Sequence, residues 1–145
     1  MSVRTDPAVT DPDVTAVRAL ARASRVLERA SSDLSLAHYR VLAAVASGEQ
    51  RASRVAARLA LGRPTISAAV DSLGQRGLLD RVDVEGDGRG VALSVTVAGR
   101  RVLARTEAEM AARLRDLVGR TKDPRRVLEA LAWLGPAIDE LHEAR

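Results

Sequence analysis

Cysteine and phenylalanine are both missing from this 145-residue chain, and its aromatic side chains come down to Tyr39 and Trp133. Without a thiol there is no disulfide frame and no thiolate nucleophile. One phenol and one indole offer little stacking surface, and each reads first as packing. Histidine occurs only at His38 and His142, too far apart for metal-ligand spacing, so neither a metal nor a cofactor is expected. His38, third in its helix, reads as a surface or capping imidazole, and His142 as solvent-facing. No apolar run is long enough for a secretory signal or a membrane span, and residues 1–10 carry a single arginine and an Asp-Pro step. A cytoplasmic protein without membrane contact is expected, with a disordered segment at 1–10 and one domain over 11–145. No paired base and nucleophile, metal cluster or nucleotide motif is present. Gly86-x-Gly88-x-Gly90 lies between two strands and lacks the helix and lysine of a phosphate loop, so an enzyme is not expected.

Lysine is also nearly absent, with Lys122 alone, so the positive balance of +4 is carried by arginine. Its distribution is informative. Residues 51–105 hold ten arginines against five carboxylates, more than the whole excess of the chain. A concentrated basic region suits a polyanion, because neutralised phosphates release counterions, although arginine-rich coding alone would also leave a basic surface.

That region has a specific order of elements. Arg54 to Ala60 reads as a helix with Ser53 as its N-cap, ended by Leu61-Gly62, where Gly62 supplies a positive φ. Pro64 suits the first turn of a second helix. In it Ile66, Val70 and Leu73 recur at four and three, leaving Thr65, Ser67, Ala68, Asp71, Ser72 and Gln75 outward until Gly77 closes the helix. Small polar residues let a helix settle into the major groove and meet base edges and phosphates. Leu78–Asp83 and Val91–Thr96 alternate as strands around the glycine-rich stretch 84–90. Arg89 stands near the hairpin tip, suited to the minor groove or a phosphate, with Asp87 placed to orient it. Thr96 then caps a long helix from Val97. The fold class is mainly α with a small β-hairpin wing: a winged helix-turn-helix over 35–99 plus terminal helices at 11–34 and 100–145.

The flanking helices are amphipathic. Asp11-Pro12 starts one that carries Val14, Val17, Ala21, Ser24 and Leu27 and reaches about Ala30. Ser35 caps the next, with Leu34 and Tyr39 placed as a hydrophobic staple and Leu42 and Val45 continuing its apolar face. Leu103, Thr106, Met110, Leu114 and Leu117 form one stripe after the wing. Asp123-Pro124 starts a last helix whose Val127, Leu131, Leu134, Ile138 and Leu141 make a coiled-coil-like seam, with a kink expected at Gly135-Pro136. Such a seam packs inside its own domain or against a second copy. Because the winged unit supplies its own core, dimerisation through Val17, Val127, Leu131, Leu134, Ile138 and Leu141 is expected.

Leu36-Ala37-His38-Tyr39-Arg40-Val41-Leu42, Leu73-Gly74-Gln75-Arg76-Gly77-Leu78-Leu79, Asp87-Gly88-Arg89-Gly90-Val91 and Thr96-Val97-Ala98-Gly99-Arg100 resemble successive signatures of the MarR family of bacterial regulators. The resemblance runs from about Asp13 to Leu141, and the Asp-x-Arg wing with its Thr-x-x-Gly helix start is its most specific part. It implies a homodimer whose end helices form the interface and whose winged units bind a near-palindromic operator in double-stranded DNA. The expected function is a sequence-specific transcriptional regulator, a repressor released by a small effector. The alternative is a winged-helix interaction or dimerisation module with weak or no specific DNA binding. The candidate DNA-contacting residues are Arg63, Pro64, Thr65, Ser67, Ala68, Ser72, Arg76, Asp87 and Arg89, with base selectivity assigned to Pro64, Thr65, Ser67 and Ala68. The chain departs from the family at Ala68, where an arginine is common, and in its glycine-rich wing, so more of the contact falls to Arg63 and Arg89. The cysteine-based peroxide sensing of some relatives is excluded. The resemblance also implies an effector cleft beside the dimer helices. There Arg18, Arg22, Arg25, His38 and Tyr39 are candidates for a small anionic aromatic molecule.

Overall fold

The computed structural model describes residues 11–83 and 90–144. Their order is α1 (Pro12–Glu28), α2 (Leu36–Ala46), α3 (Ala52–Leu59), α4 (Arg63–Gln75), β1 (Leu79–Asp83), β2 (Val91–Val95), α5 (Val97–Val118) and α6 (Pro124–Glu143). The expected class, mainly helical with one antiparallel hairpin, is the observed one. The segment 1–10 and the wing residues Asp87 and Arg89 lie outside the described residues.

Helix starts follow from capping chemistry. Asp11, Ser35, Thr96 and Asp123 each accept a first-turn amide hydrogen bond at 2.9–3.1 Å, from Asp13, His38, Gly99 and Arg126. Each satisfies a donor that the helix leaves unpaired. Helices α3 and α4 instead start from Arg51 and Gly62 without a side-chain cap. The expected cap at Ser53 is thereby corrected. Gln50 and Arg51 are drawn out as a short edge against β2, where the Leu93 amide donates to the Gln50 carbonyl at 2.6 Å and Arg51 bridges Ala92. The helix begins one residue after that pairing, and Ser53 falls inside its first turn.

Three helix ends share one closure. The amides of Glu49, Leu61 and Leu78 reach back to the carbonyls of Ala44, Ala56 and Leu73, while Gly48, Ala60 and Gly77 take positive φ values of 117°, 50° and 70°. This is the Schellman arrangement, and glycine suits it at two of the three ends. At the third the left-handed residue is Ala60 and not the expected Gly62, which is extended at φ −63° and precedes α4. The bond from Leu61 to Ala56 dictates the position, and it returns Leu61 to the core.

The core belongs to the winged unit. Val41, Leu42, Ala44 and Val45 of α2 lie at its centre, against Val55, Ile66, Val70, Leu73, Leu79, Leu93, Val95 and Leu103. Leu34 is buried and Tyr39 packs on the same cluster, in keeping with the staple. In the hairpin, Leu79 pairs with Val95 and Arg81 with Leu93, so Arg81 shares the inward face of Leu79 and Val82 faces away. Its end is locked to α5. The Thr96 amide donates to the Leu78 carbonyl at 3.1 Å, and the Thr96 hydroxyl donates to the Gly77 carbonyl at 2.7 Å while accepting from Gly99. A Cβ on Gly99 would stand 2.2 Å from the Leu78 carbonyl oxygen, so only glycine permits this approach.

The terminal helices contribute no buried residue. Helix α1 stops at Glu28, two residues short of the expected end, and α6 continues through Gly135-Pro136 as one helix. The stripe on α5 shifts: Leu103, Thr106 and Met110 are buried and Leu114 half-buried, but Leu117 is exposed and Val118 is buried in its place. The seam on α6 divides. Val127 and Leu131 rest half-buried on their own chain, whereas Trp133 (72% exposed), Leu134 and Leu141 face solvent. Val14, Val17 and Leu20 of α1 are likewise exposed.

Two substitutions of opposite sign test this geometry. Gly99→Ala is expected to cost about 3 kcal/mol in urea unfolding, the upper end of overpacking, because the obstructing atom is backbone. Ala60→Gly is expected to add about 0.5–1 kcal/mol, since relief of a left-handed alanine (about 1–2 kcal/mol) exceeds the entropy cost of glycine.

Candidate nucleic-acid interface

The exposed arc of α4 has two distinct parts. Arg63, Ser67 and Asp71 recur every four residues and so form one flank. Arg63 and Ser67 border a groove of about 280 Å³ with Arg51, Ser53 and Gly90, where α3, α4 and the foot of the wing meet. Asp71 pairs with Arg81 of β1. This flank therefore faces the wing. Pro64, Thr65 and Ala68 are exposed on the remaining arc, with Ser72 half-buried and Gln75 and Arg76 exposed at the helix end. The core stripe Ile66, Val70 and Leu73 is buried as expected, joined by Ala69.

The Arg81–Asp71 pair joins hairpin and helix across a contact with both side chains about half exposed. Such a pair is worth little to stability, about 0–1 kcal/mol, but it fixes the relative setting of the two elements. Arg51 and Ser53 enter the interface without having been expected there. Their position depends on the pairing of Gln50-Arg51 with β2, which links residues far apart in sequence and leaves no local periodicity.

A second concave region lies on the other side of the winged unit. Tyr39, Arg40, Ala43, Arg58, Leu59, Glu107, Ile138 and His142 line a cleft of about 650 Å³ between α2, α3, α5 and α6. The Tyr39 hydroxyl donates to Glu107 Oε1 at 3.4 Å. Burial pushes the Tyr39 phenol above its ordinary value, and the Glu107 carboxylate reinforces the shift by charge and by its hydrogen bond. Arg58 donates to Ser47 at 3.0 Å and lies 3.9 Å from both Glu49 and Asp139, which makes it the charged link between α3 and α6. Of the five candidate effector residues, only Tyr39 lines this cleft. His38 is half-buried elsewhere on α2, Arg25 pairs with Glu28, and Arg18 and Arg22 are exposed on α1. His142, expected in solvent, is half-buried at the rim because α6 turns that face towards α3. Among the described residues no group of His, Asp or Glu could hold a metal ion, and no helix is long and apolar enough to cross a membrane.

A model of the MarR family matches residues 32–90. No curated protein matches the chain. Among solved structures, the PcaV transcriptional regulator from Streptomyces coelicolor, in complex with its natural ligand, is 29% identical. That alignment covers 85% of this chain and 89% of PcaV at a TM-score of 0.67. The transcriptional repressor CouR from Rhodococcus jostii RHA1, bound to a 23-mer DNA duplex, is 25% identical over 88% of this chain and 92% of its own, with a TM-score of 0.74. A MarR-family regulator from Rhodococcus sp. RHA1 shares the fold at a TM-score of 0.77, with 22% identity over 92% and 96% of the two chains.

Tyr39 is the sole tyrosine, so phenolate absorbance reports it alone. Its titration midpoint is expected above 10.0. In Glu107→Gln the midpoint should fall part of the way, remaining above the ordinary value because burial is the larger cause. The raised value favours the neutral phenol in the folded state. The stability it contributes is therefore complete below pH 10 and is lost as pH rises through the folded-state value, and Tyr39→Phe should flatten that alkaline loss.

Proposed function

We propose that the chain is a MarR-family winged-helix transcription regulator, as the family model over residues 32–90 supports, and that it acts as a homodimeric repressor in the cytoplasm, binding an inverted repeat and released by a small anionic aromatic effector. The observation that carries this reading is the pairing of two unlike surfaces. One is the polar arc of α4 held beside the hairpin, and the other is the apolar face of α1 and α6 left exposed in a single chain. The first suits a major groove. The second suits a second copy, with Trp133, Leu134 and Leu141 meeting Val14, Val17 and Leu20 across a two-fold axis. The DNA-bound state of CouR supports the DNA partner.

In this reading Pro64, Thr65 and Ala68 meet base edges from the start of α4, Ser72 and Arg76 border the groove further along, and Arg89 reaches the minor groove from the wing with Asp87 orienting it. The absence of a long side chain at Ala68 shifts discrimination towards Thr65 and towards the shape of the DNA. Two α4 helices on a two-fold axis require half-sites about 10 base pairs apart.

The ligand-bound state of PcaV supports an effector, and the cleft at Tyr39 is its proposed seat. Arg40 and Arg58 would pair with a carboxylate while Tyr39 offers a flat apolar face. Arg18, Arg22, Arg25 and His38 would take part only by approaching across the dimer. Because Arg58 holds Asp139 and Glu49 at 3.9 Å, a carboxylate there competes with weak pairs. Release of DNA follows only if the ligand binds more tightly to a dimer whose α4 helices are differently spaced.

The test is a titration of labelled duplex from the region flanking its own gene, followed by fluorescence anisotropy and by the emission of Trp133, the sole tryptophan. The expected outcome is binding at least about a thousandfold tighter than to unrelated DNA. Trp133 emission should move to the blue as protein concentration rises, in step with a doubling of sedimenting mass, and salicylate should weaken DNA binding in wild type but not in Arg58→Ala. Equal affinity for all duplexes would reduce the chain to an interaction module, and a monomer at micromolar concentration would refute the dimer.

A further inference from the structure

The groove between α3, α4 and the wing foot has a composition unlike the rest of the interface. Its floor is apolar, made by Ala56 and Ile66, and its rim carries two arginines and two serines: Arg51 just before α3, Ser53 in the first turn of α3, and Arg63 and Ser67 on α4. Among the described residues no carboxylate borders it. The guanidinium of Arg51 stands over the wing foot, with its Nη1 3.4 Å from where a Cβ on Gly90 would lie. The backbone of Arg51 is also fixed, by its bridge to Ala92 and by the bond from Leu93 to Gln50. The four helices outside the α3–α4 pair are all capped by side chains, whereas the two that begin at this groove are not.

We propose that this groove is the seat of one DNA backbone phosphate per subunit, held by the guanidinium groups of Arg51 and Arg63 and the hydroxyls of Ser53 and Ser67. The chemistry is that of an oxyanion with several acceptor oxygens facing charged and neutral donors from two helices, over a floor that offers no competing carboxylate. The proposal rests on the DNA-binding reading above and changes one part of the sequence-based expectation. Ser67 serves position and affinity, not base choice, because its flank of α4 is turned towards the wing and away from the arc that carries Pro64, Thr65 and Ala68.

The experiment compares wild type with Arg51→Gln, Arg63→Gln and Ser67→Ala on the operator and on unrelated duplex over a range of salt. Melting of each variant confirms the fold. Wild-type binding to both duplexes tests the underlying DNA-binding reading separately from the seat. The expected result is that each arginine variant loses affinity for both duplexes by the same factor, and that its salt slope falls by about 0.9 per seat, roughly two for a dimer. Ser67→Ala is expected to weaken both duplexes equally, with an unchanged selected motif. In a second arm, an operator with a neutral methylphosphonate at one position in each half-site should bind wild type more weakly and Arg51→Gln no more weakly than the unmodified operator does. If Ser67→Ala instead relaxes preference at one base pair, or if no methylphosphonate position removes the effect of Arg51→Gln, the seat does not exist.

Discussion

Thr96 fixes the reading head to the long helix behind it, and most of what the molecule presents depends on that attachment. Its amide and hydroxyl donate to the carbonyls of Leu78 and Gly77, while its oxygen caps α5 through Gly99. These few bonds join the end of α4, the start of the hairpin and the start of α5. They require a left-handed residue at Gly77 and a missing side chain at Gly99, where a Cβ would meet the Leu78 carbonyl at 2.2 Å. A Thr-x-x-Gly step is thus less a helix start than a three-way joint between α4, the hairpin and α5.

Charge works on top of this joint as a matter of placement. The ion pairs among the described residues are partly exposed, and the two long ones at Arg58 lie at 3.9 Å, so none contributes much to stability. Three of them nevertheless link separate parts of the fold: Arg81 ties hairpin to α4, Arg105 ties α5 to Asp33 ahead of α2, and Arg58 ties α3 to α6. A chain that uses arginine almost to the exclusion of lysine has planar, many-donor groups for this purpose. Cheap links of this kind hold a geometry without making it costly to change.

Much of the architecture was legible because it rests on local rules. Caps at Asp11, Ser35, Thr96 and Asp123, the Pro64 start, the Ile66–Val70–Leu73 stripe and the two alternating strands all follow from neighbours within a turn. What failed was non-local. Ser53 loses its capping role to a backbone pairing with β2 forty residues on, and the left-handed closure falls at Ala60 because the core draws Leu61 inward. Heptad-like spacing on α6 could not say which side each residue faces, and in the fold Val127 and Leu131 lean on their own chain while Leu134 and Leu141 do not. The candidate site shows the same limit. That Ser67 points outward was readable from its phase on the helix, but that it borders a groove with Arg51 required the wing to be in place.

Helix α5 runs for 22 residues from the Thr96 joint towards the exposed terminal helices. At 1.5 Å per residue it is a rod about 33 Å long, rigidly fixed to the reading head at one end. A tilt of about 5° at its far end would displace that head by about 3 Å, close to the 3.4 Å step between successive base pairs. The molecule therefore has the mechanical advantage of a lever arm. A small change of packing at the far end of α5 is therefore delivered to the winged unit as a movement on the scale of one base pair, without any change inside that unit.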